Sequence, residues 1–320
     1  MKLIKPSFLI KEQEPGLLGI YRQIEYSGRI CYKSLDKITE DSAKKFVDRM
    51  IKSGHGAVLE HGTVYLRYDF KAEGDSNSTA YWLWSKYNKN KYSESVQAQP
   101  IPGVPNGFVA ITTNYRVLVE NDWLDDLKYL CEPTEYHKKR VCVRFICDRG
   151  VSHEYVRHRV FSFAQESTRY CNYSKDKFNN ELTFIKPCWV DDTALQEIKG
   201  SIISQDEYGS LILEYYYHLT GKEEPWFKPW KITPESNFIV SLQVAEQLYL
   251  ELLNQGWTPQ EARAVLPNAL KTELVMTGFI DDWKHFFSLR SNKYGKGGAH
   301  PSASELADSL YEEFIKRNWI

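Results

Sequence analysis

Two different hydrophobic periods follow one another between residues 39 and 70, and a chain that carries both can adopt only a few kinds of fold. Ala43, Phe46, Val47, Met50 and Ile51 stand at i, i+3, i+4, i+7 and i+8, with Thr39 and two acids ahead of them and Gly54 just behind. That spacing predicts an amphipathic helix over 39–53, capped at both ends. Next, Val64, Leu66, Tyr68 and Phe70 alternate with Tyr65, Arg67 and Asp69, the period of a half-buried strand. Apolar strand candidates recur at 108–119 (FVAITTNYRVLV) and 141–147 (VCVRFIC), the second running into Gly150, Val151 and Ser152 as a helix start. Leu242, Ala245, Leu248, Tyr249, Leu252 and Leu253 form another helical stripe that ends at Gly256. Thr258-Pro259-Gln260-Glu261 is a capping box with proline at the first helical position. Long helices among non-adjacent strands, with no internal repeat, predict an α+β (α/β) fold. The expectation is one compact core of antiparallel or mixed sheet with long helices, with 1–320 as a single domain.

Two stretches, about 71–140 and 190–235, read as surface insertions. The first opens with Gly, Ser and Asn at 74–79 and carries QAQPIPGVPNG at 97–107; the second holds EEPWFKPWKITPES. At 320 residues, 42% hydrophobic and 14% aromatic, the chain can still bury a large core. Lys and Arg number 41 against 42 acids, for a net charge of −1, so neither nucleic acid nor an acidic membrane is an expected partner. Any bound anion has to be met locally. Cys31, Cys131, Cys142, Cys147, Cys171 and Cys188 show no C-x-x-C pair and no metal-ligand spacing, which suits buried free thiols. Met1–Ile10 lacks the pattern of a signal peptide, and no apolar run approaches the roughly 20 residues that span a bilayer, so a cytoplasmic location is expected.

The chemistry concentrates in His153–Tyr173, HEYVRHRVFSFAQESTRYCNY. Arg157, His158 and Arg159 would point about 100° apart on a helix and so reach two adjacent ligands rather than one. Alternatively they are a solvated helix end favoured by the macrodipole. Ser167 and Arg169, a hydroxyl and a guanidinium two residues apart, make a compact phosphate-binding arrangement. In a helix over 281–291, Trp283, Phe286, Phe287 and Arg290 fall on one stripe, placing a guanidinium among apolar side chains. A charge there is costly unless paired or liganded, although a snorkelling arginine is the plainer reading. The capping box puts Arg263 in a second helical turn, near a positive helix end. A metallohydrolase built on His153-Glu154…His158 fails on spacing, because H-E-x-x-H needs its second histidine at 157, where Arg157 stands.

Arg157-His158-Arg159, seven residues, then Ser167 resembles the signature of the flavin-dependent thymidylate synthases. Ser53-Gly54-His55-Gly56-Ala57-Val58-Leu59-Glu60-His61 is similar to the segment in which that family places a histidine near the flavin. Glu261-Ala262-Arg263-Ala264-Val265-Leu266-Pro267 resembles its helix with a nucleotide-binding arginine. His285-Phe286-Phe287-Ser288-Leu289-Arg290 resembles the segment bearing its catalytic arginine, and His300 its late histidine. The chain departs from the family at Ala164 and Gln165, where Asn and Glu are usual.

The resemblance implies reductive methylation of dUMP to dTMP with FAD as cofactor. Methylenetetrahydrofolate and NADPH would be co-substrates, in a homotetramer with sites at subunit interfaces. Arg290 would be catalytic. The dUMP set would be Glu154, Tyr155, Val156, Arg157, Gln165, Glu166, Ser167, Thr168, Arg169, Arg263 and Arg290. The FAD set would be His55, Ala57, Arg157, His158, Arg159, Phe279, Asp281, His285 and His300, with no metal. A non-catalytic flavin- or nucleotide-binding protein is the alternative, and it would tolerate loss of Arg290.

Overall fold

The computed structural model describes residues 1–71, 76–99, 106–174, 181–191 and 233–320. In chain order its elements are β1 (Lys2–Ile4), β2 (Ser7–Lys11), α1 (Gly16–Cys31), α2 (Ser42–Lys52), β3 (Thr63–Lys71), α3 (Ser76–Asn88), β4 (Glu94–Ala98), β5 (Asn106–Asn114), α4 (Tyr115–Glu120), β6 (Arg140–Asp148), α5 (Arg149–Tyr155) and β7 (Ser162–Gln165). They continue with β8 (Thr183–Ile185), α6 (Pro234–Asn254), α7 (Pro259–Ala262), β9 (Lys271–Phe279), α8 (Ile280–Arg290) and α9 (Pro301–Lys316); a 3-10 turn over Gly56–His61 precedes β3. No helix among the described residues is long and apolar enough to cross a membrane.

The larger of two compact units comprises Pro6–Asn172 and Lys271–Ile320. Its main sheet runs β2-β6-β9-β7, with every pair antiparallel. One face, through Val141, Val143, Phe145, Leu274 and Met276, packs on Trp283, Phe286 and Phe287 of α8 and Leu306, Leu310 and Phe314 of α9. The other, through Cys142, Ala164 and Val275, meets Ile30 of α1. Each fully buried aromatic of this kind contributes about 1.5–3 kcal/mol by leaving water. β9 is buried from Thr272 to Gly278, so it reads in sequence as TELVMTG with no clean alternation. Gly278 is required there: a Cβ would come within 2.5 Å of the Phe161 ring.

A second sheet, β3-β5-β4, is covered by Phe46, Val47 and Met50 of α2 and by Ala80, Leu83 and Tyr87 of α3. The stripe expected over 39–53 is α2, and Gly54 follows it at φ 69°, the left-handed turn that suits glycine. The stretch read as a surface excursion after residue 71 thus supplies core. Its polar composition hides a stripe at Ala80, Leu83 and Tyr87 that the open sheet face buries, and Tyr87 Oη donates to Asp126 Oδ2 at 2.8 Å. The strand expected over 108–119 stops at Asn114, whose side chain accepts from Val117 N and caps α4.

The smaller unit comprises Met1–Lys5 and Tyr173–Leu270. β1 and β8 pair in parallel, and the Met1 amino group is bound by Glu181 at 3.1 Å and Glu246 at 3.0 Å. α6 starts where an irregular stretch was expected, because Thr233 and Ser236 cap it reciprocally around Pro234. The rest of that stretch, 192–232, lies outside the described residues, as do 100–105. The capping box at Thr258 and Glu261 is present, but α7 ends at Ala262. Arg263 therefore opens a 3-10 turn rather than a second α-helical turn, since Leu266 must be extended ahead of Pro267.

Candidate functional site

Asp148, the last residue of β6, accepts from Val151 N at 2.7 Å and so starts α5. The helix lasts only to Tyr155, which corrects the expectation that Arg157, His158 and Arg159 lie on it. Tight turns, His158 N to Tyr155 O and Phe161 N to His158 O, both at 3.1 Å, set these side chains instead. They send His158 inward, only 7% exposed, and leave Arg157 and Arg159 in solvent.

His158 meets Arg290 from the end of α8. Arg290 Nε donates to His158 Nε2 at 3.1 Å, Nη2 donates to the Glu154 carbonyl at 3.1 Å, and Nη1 is ion-paired to the Glu154 carboxylate. The guanidinium is therefore paired rather than snorkelling, and these bonds use three of its five N–H donors. Burial first, then the charges of Arg290 and His285, pull His158 down to about 4. The ring is thus neutral near pH 7, and its Nε2 accepts from Arg290. Of its neighbours in sequence, Tyr155 is fully buried with its hydroxyl donating to Ala303 O at 2.7 Å, and Val156 packs on the same core. Tyr155 therefore offers a ligand no exposed side chain.

The turn after β7 is anchored by backbone bonds. Ser167 N donates to Cys31 O at 3.0 Å, Arg169 N to Ser167 Oγ at 3.3 Å, and Cys171 N to Ser167 O at 3.0 Å. Arg169 is exposed and Thr168 is buried. Ala164, at the family's asparagine position, faces the apolar cluster with Ile30 and Val275. The Gln165 amide nitrogen is committed to Ser152 Oγ at 2.9 Å and Thr272 Oγ1 at 3.3 Å. Glu166 turns into the interior, 2% exposed, onto Lys271 Nζ at 2.8 Å. Ser152, Thr272, Lys271, Glu273 and Lys33 were invisible to motif reading, since their partners lie up to 240 residues away.

The residues expected on the flavin side mostly line the surface. His55, Ala57, Arg157, Arg159, Asp281, His285 and His300 are exposed. His285 lies beside His158, with rings 6.2 Å apart, while Asp281 pairs with Lys138 at 2.8 Å. Phe279 is half-buried at the start of α8, its N–H donating to Asp282 Oδ2 at 3.0 Å, with the Arg140 guanidinium 5.6 Å from its ring centre. His55 and Ala57 belong to the 3-10 turn region that Arg140 ties to β7, by donating to Glu60 O at 3.1 Å and Ser162 Oγ at 3.4 Å. Neither Arg157 nor Arg159 forms an ion pair among the described residues, so two guanidiniums stand ready for an anion.

Thiol reactivity is suppressed at four of the cysteines. Burial pushes Cys31 and Cys142 up to about 11 and raises Cys147 and Cys131 as well. None of these four is a thiolate at neutral pH.

Over residues 137–317, more than half of the chain, the sequence matches the family model described as thymidylate synthase complementing protein. The chain belongs to that family. Flavin-dependent thymidylate synthase of Pyrococcus furiosus is 29% identical over 174 residues, covering 54% of this chain and 53% of the relative. The protein of that name from Mycobacterium avium is 30% identical over 146 residues, 46% of this chain and 47% of the relative. The chain thus spans about half the length of the curated relatives it matches. A solved UMP/dUMP methylase, PolB from Streptomyces cacaoi, aligns over 99% of this chain and 93% of its own with 15% identity and a TM-score of 0.40, a likeness that carries no argument.

Proposed function

We propose that this protein is a flavin-dependent thymidylate synthase that converts dUMP to dTMP. The observation that carries the reading is Arg290 seated on Glu154 and His158, which joins the arginine-histidine-arginine segment to α8. In this reading FAD, reduced by NADPH, supplies the hydride, and methylenetetrahydrofolate is the one-carbon donor.

The chain's own residues have defined tasks. Ser167 and Arg169 take the nucleotide phosphate. For Arg263 the assignment to the nucleotide rests on the resemblance alone. Arg290 donates its two remaining N–H groups to the uracil edge and stabilises the negative charge that grows there as C5 becomes nucleophilic. Glu154 and neutral His158 fix the orientation of that guanidinium before substrate arrives, so little reorganisation is needed. Thiols raised by burial are consistent with activation of C5 without an enzyme nucleophile.

The donor set also fits FAD. Arg157 and Arg159, exposed and with no ion pair among the described residues, are suited to its pyrophosphate, with His55, Ala57, His158, Phe279, Asp281, His285 and His300 as further contacts. A homotetramer in the cytoplasm, with sites completed between subunits, extends the same reading, and a mass measurement in solution checks the assembly. The central experiment is spectroscopic and chemical. Purified protein is expected to carry or take up FAD, to be bleached by NADPH, and to form dTMP from dUMP and methylenetetrahydrofolate. Protein that cannot be loaded with FAD overturns the reading. Protein that binds FAD and dUMP without forming dTMP is a non-catalytic binder.

A further inference from the structure

Beneath the 166–169 turn lies a group of five charged side chains that the reaction above does not use. Glu166 and Glu273 are each 2% exposed. Lys271 Nζ bridges them at 2.8 and 2.5 Å, and Arg144 Nη2 reaches Glu273 Oε2 at 2.5 Å. Lys33 Nζ is ion-paired to Glu273 and lies 3.7 Å from Glu166. Among the described residues, Lys33, Lys271 and Arg144 face the two carboxylates of Glu166 and Glu273. Lys271 and Lys33 outweigh the cost of burial and hold Glu273 at about 2, so its carboxylate is ionised at neutral pH.

Two features tie this group to the turn above it. Glu166 N donates to Glu273 O at 2.8 Å, and the next residue, Ser167, donates its N–H to Cys31 O at 3.0 Å, two residues before Lys33. The rings of Tyr32 and Tyr170 meet at 5.5 Å across the same seam. Lys33 itself is held at φ 50°, a conformation a lysine rarely adopts, and its side chain is 25% exposed, so it links the buried charges to the surface. Buried ion pairs are often no more stabilising than packed apolar side chains of the same volume, so stability is weak grounds for keeping them.

We propose that this cluster is the electrostatic base of the nucleotide's phosphate site. It holds the 166–169 turn in place and sets the cations Lys33 and Lys271 under the phosphate, with Lys33 as the positioning residue that can be changed at least cost to the core. The inference rests on the function proposed above and extends it to residues outside the family signature.

The test compares binding of dUMP with that of deoxyuridine, which keeps the ring and sugar and lacks the phosphate, to FAD-loaded protein at low salt. Lys33→Met is expected to weaken dUMP binding about tenfold, the scale of one charge-assisted contact, and to leave deoxyuridine binding unchanged. Lys33→Arg is expected to restore most of the loss. Glu273→Gln, which makes the cluster more positive, is the arm of opposite sign and stands by itself should Lys33→Met fail to fold. Tighter dUMP binding supports the proposal, and unchanged or weaker binding overturns it. Lys33→Met acting equally on both ligands, or on neither, also overturns it while leaving the proposed function intact. Unmodified FAD-loaded protein that does not bind dUMP overturns both.

Discussion

Arg290 and Arg159 are guanidiniums of the same candidate site, yet the fold treats them in opposite ways. Arg290 ends a helix whose Trp283, Phe286 and Phe287 are fully buried, and three bonds to Glu154 and His158 set its direction. Arg159 stands in solvent on an irregular turn, with no ion pair among the described residues. His55, Ala57, His285 and His300 are exposed in the same manner. In the proposed function, the charge that would act on a small reacting ring is oriented in advance by core packing, at the cost of desolvation, and the charge that would meet a large ligand is left on the surface.

The sharpest way to break this comparison is Arg290→Ala. Turnover should fall by at least about a hundredfold, the scale of one preorganised electrostatic contact, while FAD content is retained. Steady-state kinetics and the flavin absorbance decide it, and an equal loss of both would make Arg290 a structural residue.

Acid should act on the fold through its buried histidines. His158 is held down to about 4 and His61 to about 3, in each case chiefly by burial and then by nearby arginine charge. Both are neutral in the fold, whereas the unfolded chain takes up these protons near pH 6.5. Their contribution to stability is complete above that pH and is lost as pH falls through 6 toward 4 and then 3. Thermal unfolding between pH 7.5 and 4.5 should show a falling midpoint, with a shallower slope in His61→Gln.

Tyr155→Phe removes the hydroxyl that donates to Ala303 O, at an expected cost of about 1 kcal/mol in chemical denaturation, with little change in dUMP affinity. A large loss of affinity at unchanged stability would return Tyr155 to the substrate set. The smallest stability effect belongs to Arg159→Ala, expected within about 0.5 kcal/mol of the unmodified protein. It should nevertheless weaken FAD retention on dialysis.

Much of the fold was legible locally. The stripe and C-terminal glycine of α2, the alternation of β3, the run of β6 into α5 and the capping box at Thr258 are signals within one or two turns of chain, and the structure contains each of them; the N-terminal cap expected at Thr39 is not made, since α2 starts at Ser42 with no side-chain cap from Asp41. β9 left no such signal, because a strand covered on both faces loses its period. α3 was masked by Ser, Asn and Gly around its apolar residues, and the strand–helix junction at Asn114 was hidden inside a continuous apolar run.

The sequence by itself determined which residues could bear charge and hydroxyl groups, and in what order: Arg157, His158, Arg159, Ser167, Arg169, Arg290. It could not decide which of them face solvent. Tyr155 passed from substrate contact to core, His158 from helix surface to a neutral ring under Arg290, and Glu166 from ligand contact to a buried partner of Lys271. The reason is range. Helix caps and hydrophobic periods are set by neighbours a few residues apart. The pairing of Glu166 with Lys271, or of Arg290 with Glu154, exists only once β9 lies between β6 and β7 and α8 folds back over the sheet.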